Sequence, residues 1–136
     1  MSSNWTTPTH NYVPEYQQSS FPFVTSSAVN EVNTTPINVS FPYVTRWFQV
    51  FNTDPTSGDA IRVGFTSAGV SGTTTANYLI LSGGQSTPRL ELKCTGLWFL
   101  KHGTNAGSFS LVAGLTNIPN GNFPSLTGSN GFAGVG

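Results

Sequence analysis

From residue 37 onward, apolar and polar side chains alternate in short runs. Ile37, Val39 and Phe41 are separated by Asn38 and Ser40; Ile61, Val63 and Phe65 by Arg62 and Gly64; Leu90, Leu92 and Cys94 by Glu91 and Lys93. A period of two is the mark of a strand with one dry and one wet face. The stretch Y-V-T-R-W-F-Q-V-F at 43–51 differs, because it places Tyr43, Trp47 and Phe51 on one face and Val44, Phe48 and Val50 on the other, so both faces want cover. Further strands are predicted over 77–81, 97–101 and 108–115, divided by turn-rich pieces such as T-D-P-T-S-G-D, S-G-G-Q-S and H-G-T-N-A-G. No helical period of useful length is visible. Seven or eight short strands between Gly, Pro and Asn turns predict an all-β fold: an antiparallel β-sandwich, built as a single jelly roll of about eight strands.

The two ends break this pattern. Residues 1–36 interleave Pro8, Pro14, Pro22 and Pro36 with Trp5, Tyr12, Tyr16, Phe21 and Phe23. Prolines at such spacing remove backbone donors and argue against helix, while the aromatics are too apolar for a freely solvated tail. An extended N-terminal arm is therefore expected, lying along its own body or a neighbour's, with a first strand near 21–28. Residues 37–116 are the body, and 117–136 are an irregular Gly/Pro/Asn-rich extension whose apolar beads Ile118, Phe123, Leu126, Phe132 and Val135 are expected to pack on the body or a neighbour. The hexapeptides S-F-P-F-V-T at 20–25 and S-F-P-Y-V-T at 40–45 are near copies. Two copies are too few to stack as a solenoid. Proline is tolerated at the first residue or the edge of a strand, so each copy marks a strand start.

Composition then narrows the function. Only 7% of residues are charged and the formal net charge is zero, against about 25% charged in an ordinary soluble domain. No basic patch is available for nucleic acid, and a neutral surface with 12% aromatics suits a protein packed against others. The one cysteine, Cys94, can form no internal disulfide and sits at a buried-strand position. His10 and His102 are the only histidines and lack metal-ligand spacing; Asp54 and Asp59 bracket a turn; G-x-S-x-G is missing, and S-G-G-Q-S has no lysine after it. The expectation is no catalytic residue, no metal and no cofactor. Neither a basic-then-apolar leader nor an apolar run of about 18 residues is seen, so folding in a cytoplasm without membrane insertion is expected.

The ordered series H-N-Y-V-P-E-Y-Q-Q-S-S-F-P-F-V-T, F-P-Y-V-T-R-W-F-Q-V, I-R-V-G-F-T, P-R-L-E-L-K-C and A-G-L-T-N-I-P, running from about His10 to Pro119, resembles the small single-jelly-roll capsid proteins of DNA viruses and phages, penton and head spike-base proteins among them. The resemblance implies a virion component at a capsid vertex or surface, a homopentamer contacting the major capsid protein and a spike or fibre protein, assembled in the host cytoplasm. The expected contact residues are the aromatics Trp5, Tyr12, Tyr16, Phe21, Phe23, Tyr43, Trp47, Phe51, Phe123 and Phe132. An alternative reading is a carbohydrate-binding β-sandwich used in host attachment, with Trp47, Trp98, Tyr43 and Tyr78 as a stacking platform.

Overall fold

The structure, a computed structural model, describes residues 9–17, 19–72 and 76–136. Its strands are β1 (Phe21–Ser26), β2 (Ile37–Ser40), β3 (Tyr43–Asn52), β4 (Ile61–Gly64), β5 (Leu79–Leu81), β6 (Gly96–Lys101) and β7 (Phe109–Pro119). They form two antiparallel sheets, ordered β1-β7-β3 and β2-β6-β4-β5.

The free edge of β3 is occupied by residues 84–94, an irregular ribbon. Phe48 and Leu90 exchange backbone hydrogen bonds of 2.9 and 2.8 Å, Thr87 N–H donates to Val50 O, and Asn52 N–H donates to Gln85 O. With this ribbon counted, each sheet has four members. The chain crosses from one sheet to the other at most of its connections, and the resulting order β1-β7-β3-ribbon facing β2-β6-β4-β5 is a jelly roll. The ribbon stays irregular because side chains supply part of its pairing. Thr87 Oγ1 accepts from Val50 N–H and Thr45 Oγ1 accepts from Cys94 N–H, while Pro88 has no N–H to give.

Between the sheets lie Phe41, Phe48, Val50, Ile61, Val63, Leu97, Phe99, Phe109, Leu111 and Ala113, all buried. Phe99 and Phe109 stack at 3.9 Å, and Phe23 meets Phe41 edge-on at 5.1 Å. Asn52, also buried, donates to Asp59 O and Leu81 O and accepts from Asp54 N–H, tying the end of β3 to the start of β4 and the end of β5. Among the described residues no buried polar side-chain atom lacks a hydrogen-bond partner.

Several expectations need correction. Within the arm read as extended, Val13–Gln17 closes a helical turn, α1; Pro14 falls in its first turn, where a missing N–H costs nothing. A second short helix, α2 (Ser67–Ser71), is capped by Thr66, whose Oγ1 accepts from Gly69 N–H, and ends at Gly72 with φ +66°. Strand β7 continues to Pro119, so the boundary drawn at 116 falls inside it. Leu92 is 44% exposed instead of facing the core, because the ribbon does not keep a regular alternation.

Candidate assembly surface

The doubly apolar strand divides as its pattern requires. Phe48 and Val50 are buried in the core, Trp47 and Phe51 are half-buried on the other side, Tyr43 is 41% exposed at the strand's start, and Val44, before the register shift, is buried outside the core cluster. Register shifts separate Tyr43, Thr45 and Trp47 in the pairing with β7. There side chains replace ladder bonds: Thr116 Oγ1 donates to Val44 O, and Thr45 Oγ1 donates to Leu92 O.

Strand pairing assembles the outer face of this sheet from three rows: Pro22, Gly114 and Trp47; Val24, Val112 and Gln49; Ser26, Ser110 and Phe51. None of these residues is charged. Trp47 lies across Gly114, where an added Cβ would stand 2.3 Å from the indole nitrogen, and that nitrogen donates to Ser20 Oγ at 3.0 Å. The Arg89 guanidinium stands over the same indole, 5.9 Å from the ring centre. Val24 on the rest of the face is 71% exposed among the described residues.

The two near-identical hexapeptides meet here. β1 and β3 flank β7 and both run antiparallel to it, so their starts lie at the same end of the sheet. Phe21, Pro22 and Phe23 of the first copy, with Pro42 and Tyr43 of the second, frame one apolar hollow floored by Leu115 and Asn117. The repeat therefore gives two walls of a single concavity. Pro22 fits its place on the edge strand. Ser27 N–H donates to Phe109 O, which continues the ladder and sets the odd-numbered amides of β1 toward β7, so the position of Pro22 faces outward and needs no donor.

The described part of the arm takes its own body as its surface. Arg46 Nε donates to Tyr16 O at 2.7 Å, Asn117 N–H donates to Glu15 Oε2 at 2.9 Å, and His10 meets Phe123 edge-on at 5.8 Å. The Lys93 ammonium stands 4.5 Å from the Tyr16 ring centre and donates to His10 O. Burial, with Glu15 adding to it, pushes the Tyr16 hydroxyl up to about 12. Tyr12, Tyr16, Phe23, Phe123 and Phe132 are half-buried and Phe21 is exposed, so these expected contact residues surround the starts of β1 and β3 or lie along the C-terminal segment; Trp5 falls outside the described residues.

The stacking platform is not assembled. Trp47 lies on the outer face of one sheet and Trp98, paired with Asn38, on the outer face of the other, while Tyr78 packs against Arg62. Trp98 instead lines a shallow polar hollow with Asn38, Ser40, Thr95, Gly96, Phe65 and Leu126.

Cys94 is fully buried, and burial pushes its thiol up to about 11, which leaves it protonated at neutral pH. His102 accepts from Arg62 Nε; among the described residues no group of three or more His, Cys, Asp or Glu gathers, and no helix is long and apolar enough to cross a membrane.

On the strands, three exposed apolar residues escaped the sequence reading: Val24 on β1 and Leu79 and Ile80 on β5, the last two 50% and 54% exposed. A signal for β5 was present. L-I-L is three apolar residues in succession, and a strand must turn at least one of them outward. Compared with protein-family models, curated proteins and solved structures, the chain finds no match.

Proposed function

We propose that this chain is a viral capsid structural protein: a homopentameric vertex or spike-base component that contacts the major capsid protein. A jelly roll alone serves many functions, lectins and cupins included. The observation that carries the reading is the outer face of β1-β7-β3, whose paired rows carry no charge and on which Val24 is 71% exposed while Trp47, Phe51 and Val112 are half-buried. Depletion of charge beside aromatic side chains is the composition of an interface's centre. Zero net charge supports it as well, since copies and partners meet without repulsion. The test is location. Particles purified with a tagged copy of the chain should show extra density at fivefold vertices; a chain that never co-purifies with particles removes the reading.

A carbohydrate-binding role in host attachment has one observation in its favour, the hollow that places Trp98 beside Asn38 and Ser40. An indole flanked by an amide and a hydroxyl suits a sugar ring. Saturable binding in a glycan titration, abolished by Trp98→Ala, supports that role; flat titrations across a glycan panel remove it.

A further inference from the structure

The arm and the first strand are fastened to the molecule by different means. β1 pairs with β7 over its whole length and sends Phe23 against Phe41. Helix α1, just before it, buries none of its side chains, and no residue of 9–17 belongs to the core or to the partly buried apolar side chains packed on it. The turn is closed from within: Tyr12 N–H donates to Thr9 O, Glu15 N–H to Tyr12 O, and the Tyr16 hydroxyl to His10 O. A helix of five residues does not hold itself in water, so contacts with the body decide whether it stays.

Those contacts are polar, and most are made at the surface. Arg46 Nε donates to Tyr16 O, Lys93 Nζ donates to His10 O and stands over the Tyr16 ring, Asn117 N–H donates to Glu15 Oε2, and His10 Nδ1 lies 3.4 Å from Asn122 O. Arg46, Lys93 and Tyr16 line one hollow with Glu91, which pairs with Arg89 at 3.1 Å. A chain with only five basic and five acidic residues thus gathers Glu15, Arg46, Arg89, Glu91 and Lys93 around this one short helix. The ring contact of His10 with Phe123 joins the arm to the C-terminal segment and not to the core. Contacts of exposed charged groups are individually weak, and a segment with few buried apolar contacts opens more readily than the body beneath it.

We infer that α1 is a releasable strap, which lies closed over one end of the β1-β7-β3 face and detaches as a unit while the sandwich stays folded. Ser20, whose Oγ accepts from Trp47 Nε1, is where the fixed part begins. Opening bares the Arg46 guanidinium, the Lys93 ammonium and the Asn117 N–H together. The strap therefore decides whether this end of the sheet is filled by Glu15 and Tyr16 or offers its donors to a carboxylate-bearing segment of a partner. This deepens the proposed structural role and rests on it only for what the strap guards.

Limited cleavage of the full chain by chymotrypsin, which cuts after aromatic residues, tests the strap. Cuts after Tyr12 and Tyr16 should come first, leave the chain from β1 onward whole, and change little in rate across urea concentrations too low to unfold the sandwich. Lys93 is exposed, and Lys93→Met keeps the length of its side chain while removing the charge. That variant should raise the rate of the Tyr16 cut about fivefold, and Lys93→Arg should bring the rate back. Should Lys93→Met fail to fold, Glu15→Gln, on the strap itself, should raise the rate in the same way.

A Tyr16 cut no faster than cuts within the strands, a rate that climbs with urea in step with unfolding, or a rate unmoved by Lys93→Met overturns the inference. The capsid reading fails separately. A strap that opens in a chain never found on particles removes that reading alone, and a chain that co-purifies with particles while its Tyr16 resists cleavage removes the strap alone.

Discussion

The two outer faces of the sandwich have opposite fates. On β2-β6-β4-β5 the chain covers itself: α2 lies over β4 with Val70 fully buried, Leu126 packs against the core, and Thr66 Oγ1 donates to Val135 O. The approach is so close at Gly64 that an added Cβ would stand 2.7 Å from Val70 Cγ1. On β1-β7-β3 the described residues cover one end, with Ser20 against Trp47 and the arm near Tyr16, and leave Val24 71% exposed. Both faces carry a tryptophan on a central or near-central strand. An aromatic on a strand's second face thus signals that the face will be covered, but not whether the cover comes from the same chain.

Removing the cover should have the largest effect. Deleting residues 121–136 strips Leu126, Phe132 and Val135 from the body, and a loss of about 3 kcal/mol, or roughly 10 °C in melting temperature, is expected. Unchanged melting would make the two faces equivalent. Next comes Gly64→Ala, which forces a methyl against Val70 and Asn77 O and should cost about 1–3 kcal/mol in a denaturant titration. The matching change on the bare face, Val24→Ser, should alter stability by less than about 0.5 kcal/mol. Equal costs at the two positions would show that the first sheet is covered as well.

Trp47→Ala sharpens the comparison from the other side. The indole is half-buried outside the core, so the domain should remain folded, with a modest loss of about 1 kcal/mol from the Ser20 hydrogen bond and packing on Gly114. Assembly should weaken by about 2 kcal/mol or more. Circular dichroism and native mass measured on one sample separate the two effects; outright unfolding would place Trp47 in the core.

The smallest effect concerns pH. Burial raises the Cys94 thiol from 9.0 to about 11, so the fold favours its protonated form. Its contribution is complete below pH 9.0 and is lost as pH rises through about 11. Denaturation midpoints should fall across that window, and Cys94→Ala should flatten part of the decline; an equal slope in that variant would assign it to other groups, Tyr16 among them.

Much of the sandwich was legible because alternation over four or more residues leaves little choice of element. The strands around 37–41 and 61–65 have that pattern, and the two-faced reading of 43–51 separated Phe48 and Val50 from Trp47 and Phe51. Helix α2 was illegible, since S-A-G-V-S is too short to show a 3.6-residue period and is specified by the Thr66 cap and Gly72. Leu92 misled because the ribbon alternates in sequence while its backbone is held partly by Thr45 and Thr87. For the candidate surface, the aromatics were legible and the aliphatics were not. Val24 follows Phe23 in a motif that looks wholly apolar, and its outward direction depends on the β7 register, which no local pattern encodes.

The proposed role, a building block joined through apolar, uncharged surfaces, is tested by the chain's native mass at two salt concentrations. The expected result is a closed oligomer at physiological ionic strength that persists unchanged at roughly 1 M salt, where the Debye length falls to about 3 Å. A monomer at both concentrations, or an oligomer that dissolves as salt rises, would contradict it.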